Sequence, residues 1–250
     1  MKTLIFPDLH EPPAPVFTKI EAIIASEVPD RIVFLGDYFD RYYDTPGDAD
    51  RTARWLRQSL ADPRRTHLIG NHDASYLWPS KATFCPGCTS EKEKAIRGVL
   101  GEHAAGSFVF HSVVDGWLLT HAGLSAGWVP TKLPLRRLDA WLTSEAHKAR
   151  KQFARGMHHW FLNVGARRGG ILPAGGILWC DYSELEPIPG IPQIFGHTPA
   201  DHVRRTGDYF LDNMCLDTNM GAGPQHYAVV ADSRVETLPL SSDAAPSDRE

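Results

Sequence analysis

Short apolar, β-rich runs alternate with amphipathic segments through the first third of the chain. The run Thr3-Leu4-Ile5-Phe6 precedes a segment (16–26) in which Phe17, Ile20, Ile23 and Ile24 recur at helical spacing. A second run, R-I-V-F-L-G-D (31–37), reads as a buried strand ending in Gly36-Asp37. Residues 48–61 put Ala53, Leu56 and Leu60 on one helical face, with Arg51, Arg54 and Arg57 forming a solvated ladder elsewhere. A third strand-like run, T-H-L-I-G-N-H-D (66–73), ends in a polar cluster. Strand–helix–strand alternation predicts parallel pairing and an α/β core. In such sheets ligands bind beyond the carboxyl ends of the strands.

The second half has a different rhythm. Residues 107–123 predict a hairpin with Asp115-Gly116 at its turn. Four more runs predict strands: G-G-I-L-W-C-D (175–181), P-Q-I-F-G-H-T-P (192–199), Y-F-L-D-N-M-C-L-D-T (209–218) and H-Y-A-V-V-A-D-S-R-V-E-T-L-P (226–239). The longest helical stretch is 136–164. The expected organisation is one domain over 1–240, with insertions at about 76–106 (helix-bearing) and 128–170, and a polar, disordered tail over 241–250.

Composition narrows the class without naming a function. The chain has 250 residues, 42% of them hydrophobic and 22% charged, with a net charge of −4. That balance speaks against a dedicated nucleic-acid binder. No apolar run approaches the ~20 residues of a membrane span, and the N-terminal stretch, broken by Pro7 and Asp8, lacks a signal-peptide core. A soluble, cytoplasmic protein is expected. Four cysteines do not make a disulfide framework in a chain this size. Cys85-Pro86-Gly87-Cys88 reads as a loop turn, or else as a redox pair or an incomplete metal clip.

The candidate chemistry lies at the strand ends. F-P-D-L-H-E-P-P (6–13) taken alone fits a turn, since Pro7, Asp8, Pro12 and Pro13 are turn residues. Yet Asp8 and His10, at i and i+2 of an extended segment, point to one side. Asp37 with Asp40 and Arg41, Asn71 with His72 and Asp73, His121 and His197 follow four later runs in the same way. Five runs ending alike in Asp, Asn or His point to a metal site. Carboxylate, imidazole and amide oxygen without thiolate suit Mn²⁺, Fe or Zn²⁺ rather than a structural zinc. A carboxylate there can bridge two ions, an arrangement suited to in-line displacement at phosphorus.

The segments D-L-H, G-D-Y-F-D-R, G-N-H-D, T-H-A-G and F-G-H-T occur in the order of the calcineurin-like metallophosphoesterase superfamily, which the chain resembles over about residues 3–237. G-I-L-W-C-D before the F-G-H-T segment and C-L-D-T after it resemble the phosphoprotein-phosphatase branch, which includes bacterial diadenosine-tetraphosphatase-type enzymes. The resemblance implies a four-layer α-β-β-α sandwich of two mixed sheets flanked by helices. It implies that Asp8, His10 and Asp37 bind one ion, and that Asp37, Asn71, His121 and His197 bind a second. A hydroxide shared by the ions would attack phosphorus. Arg41, with Asn71 and His72, would bind substrate phosphate. His72, oriented by Asp40, would protonate the leaving oxygen, and Asp73 would brace the loop.

Departures from the family pattern bear on substrate. Pro199 stands where many members have a histidine, in agreement with the phosphoprotein-phosphatase branch. Tyr42 replaces a glycine usual after the arginine in protein phosphatases. No arginine lies between Asp181 and Gly196, and D-T-N-M-G-A-G (217–223) looks more like the nucleotide-hydrolase loop. The acid-free, basic stretch 146–180 could supply a rim in which Arg150, Arg155 or Arg167 replaces the missing clamp, or could be a solvated face. The expected activity is metal-dependent hydrolysis of a phosphomonoester or phosphoprotein with two divalent ions, most simply Mn²⁺. Cleavage of a dinucleoside polyphosphate or related nucleotide is the alternative, and a non-catalytic metal-binding scaffold is a third reading.

Overall fold

The structure, a computed structural model, describes residues 1–10, 14–130, 133–206, 212–219 and 225–240. Pro12 and Pro13, the loop beyond Asn219 and the expected disordered tail lie outside the described residues. Strand β1 (Thr3–Phe6) is fully buried and pairs in parallel with β2 (Arg31–Phe34), Ile5 facing Val33 in register. Helix α1 (Ala14–Glu27) makes the crossover. A second crossover, α2 (Pro46–Ser59), leads to β3 (Arg65–His67), again parallel. Helix α2 starts where the sequence signals it: Thr45 Oγ1 accepts from Asp48 N (3.2 Å), while Asp48 returns a bond to Thr45 N (2.9 Å). Arg51 and Arg54 on this helix pair with Asp48 and Asp50, as a solvated ladder should.

Helices α3 (Asn71–Leu77), α4 (Ser90–Leu100) and α5 (Leu135–Phe153) complete the α-helices among the described residues, which also hold five short 3-10 turns. The remaining strands are β4 (His111–Val114), β5 (Trp117–Thr120), β6 (Gln193–Phe195), β7 (Arg204–Thr206), β8 (Asn213–Cys215), β9 (His226–Ala231) and β10 (Arg234–Pro239). One sheet runs β10-β9-β1-β2-β3 and the other β4-β5-β6-β8-β7. Both are mixed: β1-β2-β3 and β5-β6-β8 are parallel, while β9 pairs antiparallel with both β1 and β10, and β4–β5 and β7–β8 are antiparallel. The α/β sandwich of two mixed sheets is therefore present.

The period of two along each strand divides the core. Ile5, Val33 and Leu35 meet Leu119, Ile194 and Met214 between the sheets. Leu4, Phe6, Ile32 and Phe34 point the other way and pack with Phe17, Ile20 and Ile24 of α1 and Ala53 and Leu56 of α2. Each fully buried side chain of this size contributes about 1.5–3 kcal/mol, so strand register is fixed from both faces. The strand ends inherit that register.

Three sequence expectations change. The helix expected over 136–164 stops at Phe153, because Gly156 (φ +66°) ends it: Gly156 N donates to Phe153 O and Met157 N to Gln152 O, both at 2.9 Å. G-G-I-L-W-C-D is a turn, not a strand; Trp179 N donates to Gly176 O (2.8 Å), and Ile177 and Leu178 are buried within the loop. Residues 226–239 are two strands, β9 and β10, joined through Asp232 and Ser233, both at positive φ.

Candidate metal centre

Asp8 and His10 follow β1, Asp37 follows β2, Asn71 and His72 follow β3, His121 follows β5 and His197 follows β6. The parallel strands point their carboxyl ends to one place, so register brings the segments that carry these side chains together. The backbone there is unusual: His10, Asp37, Asp40 and His197 have φ of +46°, +49°, +68° and +68°. Asp and His tolerate this region better than most residues, but each such position still costs on the order of 1–3 kcal/mol. It is held by bonds from neighbours. Leu9 N and His10 N both donate to Asp37 O (3.1 and 2.7 Å). The carboxylate of Asp73 accepts from Asp37 N, Tyr38 N and Gly70 N at 2.8–2.9 Å, which is the bracing role expected of it.

Glycine is required at two of these turns. A Cβ on Gly196 would lie 1.8 Å from Asp8 Oδ1, and one on Gly70 1.9 Å from Asp37 Oδ1. The two carboxylates sit in space that any other residue would fill.

The donor atoms are arranged as lone pairs facing lone pairs. His121 Nδ1 donates to Leu35 O (2.9 Å), and His10 Nδ1 to Phe39 O (3.1 Å), which leaves each Nε2 facing inward. Around His121 Nε2 lie Asn71 Oδ1 at 3.0 Å, His197 Nδ1 at 3.2 Å and Asp37 Oδ2 at 3.4 Å. His10 Nε2 lies 3.6 Å from the same Asp37 oxygen. Two trios, His10/Asp37/His72 and Asp37/His121/His197, each gather their ligand atoms within 4.8 Å, and Asp37 belongs to both. Asp8 Oδ1 and His197 Nε2 are buried with no hydrogen-bond partner. Buried polar atoms are seldom left unpaired; an ion beside them would resolve both the orphans and the converging lone pairs. The donor set fits divalent cations.

Charge follows the same pattern. Burial would raise Asp37, but His121, His72 and His10 outweigh it and hold its carboxyl well below the usual range. Asp8 moves the other way, raised by burial and by the neighbouring Asp217. Burial disfavours a charged His121, yet Asp37 and Asp8 lift it to about 9. His197 is pushed down by burial, His121 and Arg168.

The remaining expected residues sit at the rim. His72 Nδ1 donates to Asp40 Oδ2 (2.9 Å), its ring edge-on to that of His10 with 5.3 Å between centroids. Arg41 is exposed, and its guanidinium makes no hydrogen bond or ion pair among the described residues. The arginines expected to replace a missing clamp are elsewhere. Arg150 donates to Ala105 O and Phe108 O and lies over the rings of Trp78 and Phe110, a structural position. Arg155 and Arg167 are exposed. It is Arg168 that reaches the centre, bonding His197 O (3.2 Å), Thr198 Oγ1 (3.3 Å) and Asp181 Oδ2 (3.1 Å).

Two further residues escaped the sequence. Asp217, buried beyond β8, is a sixth polar strand end and the strongest carboxylate neighbour of Asp8; the C-L-D-T run carried the same signal. Lys92, buried on α4, donates to Asp40 Oδ1 (2.5 Å) and Asp44 Oδ2 (2.7 Å), a contact no local pattern announces.

The family model for calcineurin-like phosphoesterases matches residues 1–201. A cold-active protein-tyrosine phosphatase of a psychrophile, Shewanella sp., is similar in fold at 15% identity, covering 96% of this chain and 78% of that one, with a TM-score of 0.59. A point mutant of a cold-active protein tyrosine phosphatase gives 16% identity, the same coverages and a TM-score of 0.60. YfcE, a phosphoesterase from E. coli, matches at 13% identity over 98% of this chain and 96% of that one, with a TM-score of 0.48. No curated protein matches in sequence. Among the described residues no helix is long and apolar enough to cross a membrane. The chain belongs to the calcineurin-like phosphoesterase family, dinuclear-metal-dependent hydrolases of phosphoric esters.

Proposed function

We propose that this chain hydrolyses a phosphomonoester, free or on a protein, with two divalent ions, Mn²⁺ foremost. Asp8, His10 and Asp37 would hold the first, and Asp37, Asn71, His121 and His197 the second. The observation that carries this reading is the ring of acceptors around His121 Nε2, with Asp37 Oδ2 shared between two ligand trios. When bound, two cations supply Lewis acidity at phosphoryl oxygens and a water acidic enough to act as nucleophile near neutral pH.

The chain's own groups do the rest. His72 lies close enough to His10 and Asp37 to share their ion, but a second role suits it better. Burial alone would lower its pKa; Asp37 and Asp40 overcome this and raise it well above the ordinary value. An imidazolium whose Nδ1 is fixed on Asp40 presents an acidic Nε2–H and no lone pair. It can give that proton to the leaving oxygen. Asp40 keeps its negative charge through Lys92 and Tyr76 as well as His72. Arg41, with no partner of its own among the described residues, is free to hold two phosphate oxygens with its planar fork.

A substrate panel in added Mn²⁺ tests the proposal: an aryl phosphate, phosphopeptides, a bis-aryl phosphate and a dinucleoside polyphosphate. The monoesters should turn over fastest. Preference for the dinucleoside polyphosphate would replace the substrate assignment, and hydrolysis of none of them would leave the non-catalytic reading.

A further inference from the structure

We propose that Cys85 and Cys88 form a reversible disulfide that weakens metal binding at the neighbouring centre. The proposal rests on the metal assignment above and adds its regulation. The four residues Cys85-Pro86-Gly87-Cys88 close a turn in which Cys88 N donates to Cys85 O (3.2 Å). Pro86 occupies the second position, and Gly87 has φ +101° at the third, the requirements of a type II turn. The ends of such a turn approach within about 7 Å, and disulfides span Cα separations of about 4.4–6.8 Å. The pair can therefore bridge with little backbone movement.

The turn rests on the candidate centre. Asn71 Nδ2 donates to Cys85 Sγ (3.2 Å), which anchors the outer end of the amide, and Asn71 Oδ1 lies 3.0 Å from His121 Nε2. Cys85 is a positioning residue for Asn71. Gly87 packs on Asp40: a Cβ there would lie 3.0 Å from Asp40 Cβ and Cγ. The Cys88 thiol meets Tyr76, whose hydroxyl donates to Asp40. Drawing Cys85 Sγ toward Cys88 removes the acceptor of Asn71 Nδ2 and shifts the backbone against Asp40. Both changes act through groups that orient ligands.

The chemistry needs a small-molecule disulfide. Cys88 is the more exposed thiol; burial and the Asp40 charge raise its pKa, so the attack runs through its minor thiolate fraction, is slow near neutral pH, and displaces one external thiol to form a mixed disulfide. The Cys85 thiolate then attacks Cys88 Sγ and releases the second external thiol. Two protein thiols are oxidised, one external disulfide is reduced to two thiols, and the protons pass to those thiols. Cys180 and Cys215 are buried elsewhere, Cys215 Sγ donating to Gly196 O (3.3 Å), and serve as internal controls.

The test uses the full chain equilibrated with oxidised or reduced glutathione, read by intact mass, peptide mapping and Mn²⁺ titration calorimetry. Oxidation should remove two hydrogens, map to Cys85–Cys88, and weaken Mn²⁺ binding about 10-fold or more, the size of effect that loss of a ligand-orienting contact produces; a dithiol reductant should restore it. Cys88→Ser should keep its affinity under the same oxidant. The proposal is overturned if the folded protein forms no Cys85–Cys88 bond, or forms it with unchanged Mn²⁺ affinity while the reduced protein binds normally. Substrate turnover is not read, so a wrong substrate leaves the result intact, whereas reduced protein that binds no Mn²⁺ defeats the metal assignment itself.

Discussion

His72 Nδ1 lies 2.9 Å from Asp40 Oδ2, and Asp40 is in turn clamped by Lys92 Nζ at 2.5 Å. His72, Lys92 and Tyr76 outweigh burial and hold the Asp40 carboxyl below its ordinary range, and Asp37 with Asp40 raises His72 well above its ordinary value. His72→Asn should therefore retain metal yet lower turnover by about 100-fold or more for alkyl phosphates, with far less effect on activated aryl phosphates, whose leaving groups need no proton. Equal losses on both would remove His72 from the acid role. Asp40→Asn has a separate signature: the alkaline limb of the pH–rate profile should move to lower pH, because the imidazolium has lost a neighbouring charge.

Asp37 is the one carboxylate common to both ligand trios. Asp37→Asn should strip most of both ions, whereas loss of His197 should spare the first. Wild-type protein with Mn²⁺ at about 100 times its Kd should gain about 2.7 kcal/mol per site by mass action, and Asp37→Asn should gain almost none. Metal analysis and thermal melts with and without Mn²⁺ decide this; a full two ions in the variant would end the bridging role.

Much of this centre was legible because strands repeat every two residues. The buried runs show where each strand stops, and Asp8, His10, Asp37, Asn71, His121 and His197 all follow such a stop; the positive-φ turns at His10, Asp37 and His197, which set the final direction of those side chains, carry no such period. What was not legible depends on chain path rather than period. Lys92 meets Asp40 only because α4 folds back on α2, across 52 residues. Arg168, not Arg167, reaches the His197 loop, since a short turn decides which neighbour faces inward. The end of α5 turned on Gly156, a lone glycine inside an otherwise helical pattern.

Arg41 projects from the turn after Asp40 with no protein partner among the described residues. Charge-assisted bonds of this kind are worth about 1.5–3 kcal/mol, so Arg41→Ala should lower kcat/KM by about 10- to 100-fold. Arg41→Lys should recover little, because an ammonium cannot offer two parallel donors. Unchanged kinetics in both variants would free Arg41 from phosphate binding.

His67 gives the fold a pH dependence of its own. The ring is buried, stacked on Phe34 at 4.8 Å, with Nδ1 2.9 Å from Tyr38 Oη and Nε2 3.0 Å from Ser59 Oγ. Burial, aided by the charge of Arg65, pushes its pKa from 6.5 down to about 3. The folded state therefore keeps His67 neutral while the unfolded chain takes up a proton below 6.5. The sign is fixed: stability from this group is complete above pH 6.5 and drains away as pH falls toward 3, by at most about 1.4 kcal/mol per pH unit. His67→Gln keeps hydrogen-bonding capacity but does not ionise in this window. It should be less stable than wild type at pH 7.5, and the gap should narrow by roughly 2–3 kcal/mol at pH 4.5. Urea unfolding of both proteins at the two pH values cancels the titrations they share, so a gap that does not change with pH would mean that His67 is protonated alike in the folded and unfolded states.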